Sequence, residues 1–355
     1  MYQDSPRREG EKSSGNVTVR DVAERAGVSP TVVSRVLHNK ANAIRVSEAT
    51  AERVRRAAEE LGYRRNVLAT LFRERQTMMI GVLHGMGFGK PLFSGTSQYF
   101  SCLMDGIVDG AFSHGYSVTL CPQLYGSTPE DAMADGRFDG LVWYSTHLTG
   151  GNRELLEKCS VPLVLIHTPA SEFGNKFPAV ICDNHQGIGI ALDKLAELGH
   201  TRIAFALENE YPSVEGVFRR DAFIEIMEQR GLSVDDSDII DIRADLTGLH
   251  MYFASGVRHT AIIGANDDVG SKVIALAHQY GVNVPGQLSV VGFDSTSYCD
   301  QVQPGLSSIH QPLVVMGRSA VSLLVRSISG EMPDPPTLVF PCGLDIRGST
   351  TSART

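Results

Sequence analysis

From about residue 78 onward, the chain alternates short apolar runs with amphipathic stretches, and it does so in two successive series. Runs such as MMIGVL at 78–83 and RIAFAL at 202–207 have the length and apolar character of buried strands. Alternating strands and helices are typical of parallel sheets covered by helices on both faces. The repetition of the series predicts two similar α/β lobes with a cleft between them.

The N-terminal part of the chain, residues 17–63, has a different pattern that predicts three short helices. Thr18 and Ser29 are good N-cap residues, and Gly27 between them breaks the first helix. Two short helices joined by a tight glycine turn form a helix-turn-helix, and a third helix beginning at Ser47 can close a small core. We therefore predict a separate helical module in front of the α/β body.

Charge is distributed unevenly between these two parts. The whole chain has 32 Lys and Arg against 40 Asp and Glu, a net charge of -8. Residues 1–75 hold 15 of the basic and 10 of the acidic side chains, a net of +5, which leaves -13 for the other 280 residues. Such asymmetry suggests a small module that binds a polyanion and a larger body that does not, although a basic solvated tail would give the same count.

Longer runs of the sequence resemble one protein family. TVRDVAERAGVSPTVVSRVL and VSEATAERVRRAAEELGY are similar to the DNA-binding headpiece of the LacI/GalR family of bacterial transcription regulators, and phrases such as GRFDGLV and LSVVGFD follow in the family's order. The resemblance implies an N-terminal all-α helix-turn-helix headpiece and a two-lobed, periplasmic-binding-protein-like α/β sensor domain with parallel sheets. The implied divisions are a disordered tail at 1–16, the headpiece at 17–63, a hinge at 64–77 and an effector-binding and dimerisation domain at 78–350.

In such headpieces the second helix lies in the major groove, and its N-terminal side chains reach base edges. The residues predicted to contact DNA are Thr18, Ser29, Pro30, Thr31, Ser34 and Arg35. Pro30 and Thr31 hold the base-reading positions, and Arg35 can extend to a guanine edge or a phosphate. Ser29, Ser34 and the backbone near Thr18 are better suited to phosphates, which fix the register without reading sequence.

The hinge of this family is a short helix that inserts an apolar side chain into the minor groove. Counted from Tyr63, Phe72 occupies that wedge position. Inserting such a wedge costs base stacking but bends the duplex and extends the contact. The alternative is a polar linker in which Phe72 packs on the body.

Residues that follow strands are the candidates for an effector site, because ligands of open parallel sheets bind beyond the carboxyl ends of the strands. The predicted ligand-binding residues are Tyr99, Phe100, Arg219, Asn266, Asp267 and Asp294. Arg219 matches the arginine of a family phrase and, with Asn266 and Asp294, supplies hydrogen bonds for a polyol, whereas Tyr99 or Phe100 supplies an apolar face. Five of the six residues have a structural alternative: a helix cap or turn for Asn266 and Asp294, an exposed helix position for Arg219, and the core for the two aromatics.

Enzymatic activity has no positive support in the sequence. The GMGFGKP run follows a strand, but Pro91 stands where a phosphate-binding loop requires Ser or Thr. The 11 histidines show no metal-binding spacing, and no nucleophile elbow is present, so we expect neither a metal nor another cofactor. Lone histidines such as His167 and His310 are expected to be structural.

The N-terminus, the apolar runs and the cysteines indicate the cellular compartment of the protein. The polar N-terminus lacks the apolar region of a secretory signal, and no run approaches the ~18 apolar residues of a membrane span. Six cysteines without a CxxC pair are typical of reduced thiols in the cytoplasm. We predict a cytoplasmic, homodimeric repressor that binds double-stranded operator DNA and a small-molecule effector, which we expect to be a carbohydrate. The alternatives are an exported sugar-binding protein with a vestigial headpiece and, more distantly, an enzyme.

Overall fold

The computed structural model describes residues 17–38, 46–64, 76–83, 98–121, 136–144, 150–208 and 213–354. The chain divides into two compact units, residues 1–75 and 76–355. Phe72, the predicted minor-groove wedge, lies outside the described residues, as do the N-terminal tail and most of the predicted hinge.

The described part of the first unit consists of helices α1 (Val19–Ala26), α2 (Pro30–His38) and α3 (Glu48–Glu60). Helices α1 and α3 begin where the sequence predicts because Thr18 and Ser47 accept hydrogen bonds from the backbone N–H groups three residues on. Gly27 ends α1 at a φ of 65°, a left-handed conformation that glycine adopts at little cost. These signals are local, so the boundaries of the helices can be predicted from sequence alone.

The core of the first unit is small and aliphatic. Val22, Val33 and Val54, one from each helix, are completely buried, and smaller alanines surround them. Val28 and Val36 pack against this core from partly buried positions. The three helices therefore form one module around a single centre.

The second unit contains both sheets. Its described strands are β1 (Met79–Leu83), β2 (Ser117–Cys121), β3 (Gly140–Tyr144), β4 (Leu163–Ile166), β5 (Ala179–Cys182), β6 (Ile203–Leu207), β7 (Ile239–Asp241), β8 (Ala261–Gly264), β9 (Ser289–Asp294), β10 (Ser307–His310), β11 (Thr337–Phe340) and β12 (Gly343–Asp345). Its described helices are α4 (Gln98–Ser113), α5 (Gly150–Lys158), α6 (Asn184–Glu197), α7 (Val214–Gln229), α8 (Thr247–Ala254), α9 (Asp267–Gln279) and α10 (Leu313–Ile328). The alternation is the one that the hydrophobic pattern predicts.

Two six-stranded sheets define two lobes. The first sheet has the order β11-β5-β4-β3-β1-β2 and is parallel throughout. The second has the order β12-β10-β9-β8-β6-β7 and is parallel except for the antiparallel edge strand β12. Parallel strands of this kind are buried on both faces, and β3, β4, β6, β8 and β9 are accordingly buried along their whole length.

Within the described residues, the chain passes between the lobes three times. The first crossing follows β5 at Asp183, the second lies at Gln311 before α10, and the third joins β11 to β12. As a result, α10 packs on α4, β3 and β4 of the first lobe although it follows the last parallel strand of the second. Three crossing segments of this kind make a hinge between the lobes.

Helices α4 and α10 approach each other at backbone distance. A Cβ atom added to Gly106 would collide with the carbonyl oxygen of Val314, and one added to Gly317 would collide with that of Leu103. Glycine is required at these positions because no side chain leaves room for the approach. No described helix is long and apolar enough to cross a membrane.

Two helix boundaries differ from the sequence prediction. The amphipathic pattern of the sequence predicts a helix near 217–230, whereas α7 starts at Val214 because the Ser213 hydroxyl accepts the Gly216 N–H at 2.9 Å. The same pattern predicts a helix near 247–257, whereas α8 ends at Ala254. The earlier start of α7 brings one more acidic side chain, Glu215, into its first turn.

Candidate functional site

Side chains from both lobes line a cavity of about 250 Å³. It lies where strands β3, β6, β8 and β9 end, which is the position expected of a ligand site in parallel sheets. Its lining consists of Tyr99 and Tyr144 from the first lobe and of Leu207, Glu208, Ser213, Glu215, Gly216, Arg219, Ala265, Asn266, Asp268, Val269 and Asp294 from the second. The volume is just below the roughly 300–1,000 Å³ of common ligand pockets, so the cavity suits a small ligand.

Arg219 is the most buried cation of the site, with 3% of its surface exposed. Its Nε donates to Asn184 Oδ1 at 2.8 Å, and its Nη1 donates to the Ala265 carbonyl at 2.6 Å. The guanidinium carbon lies 3.6 Å from the centre of the Phe293 ring, which supports the cation on its face. Its Nη2 has no hydrogen-bond acceptor among the described residues. A buried donor without an acceptor is costly, and an acceptor atom placed in the cavity could satisfy it.

Two carboxylates compensate the charge of Arg219. Glu215 Oε1 lies 3.6 Å from Nη2, and Asp294 Oδ1 lies 3.5 Å from Nη1. Burial alone would lower the pKa of Arg219, but the Glu215 and Asp294 carboxylates outweigh that effect and raise it. The guanidinium therefore stays charged at every physiological pH.

A buried polar chain joins the two lobes at the cavity wall. His167, which follows β4 in the first lobe, places Nδ1 2.7 Å from Glu215 Oε1 in α7 of the second. The Tyr99 hydroxyl lies 2.7 Å from His167 Nε2, and all three side chains are buried. Burial raises the pKa of Glu215, but the stronger attraction of His167 and Arg219 lowers it overall, so this carboxyl is ionised. The chain of contacts from Tyr99 to Glu215 holds the lobes together on this side.

Asp294 combines unusual backbone geometry with burial. Its φ of 117° lies in a region that residues other than glycine rarely adopt, and such strain collects at functional sites. Its Oδ1 accepts a hydrogen bond of 2.6 Å from Gln311 Nε2, at the second crossing between the lobes. Burial raises the pKa of Asp294 well above its ordinary value in spite of the nearby Arg219. The side chain therefore ionises less readily than an exposed aspartate.

Known proteins with similar sequences place the chain in a family. Residues 18–66 match the family described as bacterial regulatory proteins, lacI family, and residues 192–350 match a periplasmic binding protein-like domain. The transcriptional regulator MalR of Streptomyces coelicolor is 30% identical over 352 residues, which span 94% of this chain and 96% of MalR. The chain belongs to the LacI family. It is therefore a DNA-binding transcriptional regulator, and its relatives are regulators rather than enzymes.

Further relatives agree with this assignment. Catabolite control protein A of Priestia megaterium is 29% identical across 94% of this chain and 99% of its own length. A solved complex of the transcriptional regulator CelR with cellobiose is 26% identical, with a TM-score of 0.68 over 94% of this chain and all of that one. A lac repressor dimer bound to operator and an anti-inducer is 24% identical, with a TM-score of 0.74 over 95% of this chain and all of that one, and shows the shared fold. The predicted family and fold class are confirmed.

Four of the six predicted effector residues line the cavity of this LacI-family regulator. They are Tyr99, Arg219, Asn266 and Asp294. Asn266 also caps α9, because its side-chain oxygen accepts the Val269 N–H at 2.9 Å. The residue is therefore both a helix cap and part of the cavity lining. Phe100 lies in the core of the first lobe, with its ring 5.1 Å from that of Tyr144, and is absent from the cavity lining.

Asp267 is also absent from the lining of the regulator's cavity. Its carboxylate accepts hydrogen bonds from the Thr296 N–H at 3.0 Å and from the Ser308 hydroxyl at 2.5 Å. Because β9 precedes Thr296 and β10 contains Ser308, these bonds join two neighbouring strands behind the site. Asn266 and Asp267 both follow β8, so their positions in the sequence do not tell which of the two lines the cavity. In the structure, the two side chains point to different partners.

Sequence reasoning missed Tyr144, His167, Glu208 and Glu215. The sequence predicts a structural role for His167, and in the structure this histidine forms the buried contact between the lobes. Its signal was available, because it directly follows the VPLVLI strand run. Glu215 stands four residues before Arg219, a spacing that places both on one helix face. Among the described residues of this regulator, no group of three or more metal-ligating side chains could hold a metal ion.

The predicted DNA contacts lie at and near the N-terminus of α2. Ser29, Pro30 and Thr31 are exposed there, and Ser34 and Arg35 are half-buried one turn further on. The Ser29 oxygen accepts the Val32 N–H at 3.4 Å, which leaves its hydroxyl hydrogen to donate elsewhere.

Thr18 is placed differently from the other predicted DNA contacts. Its N–H and its hydroxyl both donate to Asp21 at 2.7 Å, so the cap of α1 uses both of its donors. These backbone and hydroxyl hydrogen bonds lower the pKa of the exposed Asp21 carboxyl. A phosphate contact by Thr18 would have to replace one of these bonds.

Proposed function

We propose that this regulator is a cytoplasmic, homodimeric repressor whose operator affinity is controlled by a sugar or sugar derivative bound between the two lobes. The observation that carries the proposal is the buried Arg219, whose Nη2 lacks an acceptor in a cavity lined by residues of both lobes. The CelR relative contains cellobiose, and the lac repressor relative is a dimer on operator DNA, which supports the effector class and the assembly. All six cysteines are free in the structure.

The network around the cavity reaches the hinge between the lobes. Arg219 binds Asn184, just after the first crossing, and Asp294 binds Gln311, at the second. A ligand that hydrogen-bonds to Arg219 therefore acts beside two of the three segments that join the lobes. Binding energy that differs between two lobe arrangements shifts their populations by that difference.

A second route to the hinge runs through the contact between the lobes. The Tyr99–His167–Glu215 chain lines or borders the cavity, and Gln98 accepts a hydrogen bond from Ser297 across the lobes near the cavity mouth. A ligand that competes for Glu215 or Tyr99 changes the strength of this contact. We therefore place the switch at the cavity wall formed by α4 and α7.

On the DNA side, we propose that Pro30, Thr31 and Arg35 read bases and that Ser29 and Ser34 bind phosphates. The exposure of the first turn of α2 supports the assignment. Phe72 keeps its proposed place as the minor-groove wedge of the hinge. Thr18 is the weakest member of the set, since Asp21 already takes both of its donors.

The proposal is tested on the full chain in two steps. Operator DNA is first selected from random fragments, and its affinity is then measured by fluorescence anisotropy with and without a library of monosaccharides and disaccharides. An effector should change operator affinity by roughly 5–150-fold, the usual size of an allosteric coupling. Failure to enrich any DNA sequence would support the alternative of a carrier with a vestigial headpiece.

The variant that tests the site is Arg219→Gln, which removes the buried cation. We expect it to keep operator affinity and to lose the response to the effector. Arg220→Gln is the matched control, because Arg220 is its neighbour, pairs with Asp221 at 2.7 Å and is absent from the cavity lining. A full effector response in Arg219→Gln would contradict this location of the site.

A further inference from the structure

The charges of the cavity point to the kind of effector that it accepts. Four acidic side chains line the cavity, those of Glu208, Glu215, Asp268 and Asp294, against the single guanidinium of Arg219. Burial raises the pKa of Asp294, so the negative charge of the lining comes first from Glu208, Glu215 and Asp268. We infer that the effector is uncharged or cationic, and that the site discriminates against sugar phosphates and sugar acids. The inference rests on the proposed function and narrows its ligand class.

Every cation at the described part of the site already has an anionic partner. Arg219 lies within 3.6 Å of Glu215 and Asp294. Lys272, behind the lining, pairs with Asp268 through a contact of 2.7 Å one helical turn away. An anionic ligand would therefore have to displace one of these carboxylates or enter without a counter-charge. Burying an unpaired charge is strongly unfavourable.

Glu208 adds an acidic group without compensation. It follows β6 at the edge of the cavity, is half-buried, and has no ion-pair partner among the described residues. The sequences of body segments 84–97, 122–135, 145–149 and 209–212 contain one lysine against four acidic residues. These segments are therefore net acidic, with Lys90 as their one lysine.

The unmet donor of Arg219 does not require an anion. A hydroxyl or carbonyl oxygen of a neutral ligand can accept from Nη2, and the ligand's own hydroxyl or ammonium hydrogens can donate to Glu208, Glu215 or Asp268. Four carboxylates provide many acceptors and few donors, so a ligand rich in donors matches the lining. A polyol meets this requirement, and an amino sugar meets it with charge attraction in addition.

The experiment compares ligands that differ only in charge. Neutral monosaccharides and disaccharides, including glucose and cellobiose, are tested with the full chain beside their phosphate esters, their uronic or aldonic acids and their 2-amino derivatives. Thermal shift identifies ligands, and titration calorimetry measures their affinity. We expect every ligand to be neutral or cationic and each anionic counterpart to bind at least about tenfold more weakly, as for a like charge at a few ångströms.

The variant Glu208→Gln tests whether Glu208 causes the discrimination. It should reduce the ratio between the affinity of a neutral ligand and that of its anionic counterpart several-fold. Glu228→Gln is the control. It removes the same charge from the exposed face of α7, away from the cavity, and should leave the affinity ratio unchanged.

Three results would count against the inference. If an anionic ligand binds as tightly as its neutral counterpart, the inference is wrong, although the proposed effector function is not contradicted. An unchanged affinity ratio in Glu208→Gln would contradict the part assigned to Glu208. If no member of any charge class binds, the proposed effector function itself is contradicted, and the inference falls with it.

Discussion

Replacement of Glu215 by Gln tests whether the buried contact between the lobes stabilises the body of the regulator. Glu215 is 4% exposed, lies 2.7 Å from His167 and 3.6 Å from Arg219, and is ionised. Gln keeps the shape but removes the charge that compensates the buried Arg219. Breaking a buried pair from one side costs roughly 3–5 kcal/mol, and we expect about 3 kcal/mol because the Phe293 ring and the Ala265 carbonyl remain beside the guanidinium. For a body of this size that is a decrease in Tm of about 6 °C.

Trp143 makes the measurement specific to the body. It is the chain's single tryptophan, lies in β3 and is buried, so its fluorescence follows the unfolding of the first lobe without a signal from the headpiece. Urea unfolding at neutral pH then gives the free energy of unfolding for wild type and for Glu215→Gln. Glu228→Gln is the control and should change this energy by less than about 0.5 kcal/mol, as exposed substitutions usually do.

A double-mutant cycle separates the pair from the individual residues. If Glu215 acts through Arg219, the double variant Glu215→Gln, Arg219→Gln should be less destabilised than the sum of the two single variants, because the second substitution removes the stranded charge. A loss below about 1 kcal/mol in Glu215→Gln, or strict additivity in the cycle, would refute the view that the ion pair stabilises this wall of the cavity.

Two further predictions concern the DNA surface and the pH dependence of stability. Arg35→Ala should weaken operator binding about 5- to 150-fold and reduce the preference for operator over random DNA, as loss of a base contact worth ~1–3 kcal/mol would; anisotropy with both DNAs checks it, and unchanged discrimination would exclude base reading by Arg35. We expect wild-type stability to decrease as the pH rises, because Asp294 ionises in its buried site, and we expect Asp294→Asn to abolish this decrease. Because folding raises the pKa of Asp294, its contribution is full below the unfolded pKa of ~3.9 and is lost as pH rises through the folded pKa. Thermal unfolding from pH 4 to pH 8 measures the slope, and identical slopes in variant and wild type would contradict a buried carboxyl that resists ionisation.

The fold could be predicted from sequence because its signals are local. Thr18, Gly27 and Ser47 fix helix boundaries in the headpiece through caps and a left-handed turn, none of which depends on distant residues. In the body, the apolar runs indicate burial on both faces of a parallel sheet, and the runs at 78–83 and 202–207 form β1 and β6 within one residue of their predicted bounds. The predicted start of α7 differs from the observed one because the Ser213 side chain caps the helix earlier than the hydrophobic pattern indicates.

The site was only partly predictable because its decisive contacts are between distant residues. Arg219 and Asp294 could be proposed from a family phrase and a strand end, but 75 residues separate them and only the folded sheets bring them together. The His167–Glu215 contact joins residues from different lobes, and nothing in the sequence near His167 indicates its partner. Asp267 shows the opposite error, since a residue next to the site in sequence turns its carboxylate toward Ser308.

The return of α10 and β11 to the first lobe has a consequence for synthesis on the ribosome. Strand β5 ends at residue 182, but its edge partner β11 begins at residue 337, so 155 residues of translation separate the two. At ~5–20 residues per second, the edge of β5 and the face of α4 that α10 covers stay exposed for on the order of ten to thirty seconds. An unpaired edge strand beside uncovered apolar surface is a template for aggregation. The first lobe therefore cannot be completed before α10 and β11 have emerged, and truncation before residue 313 leaves it incomplete.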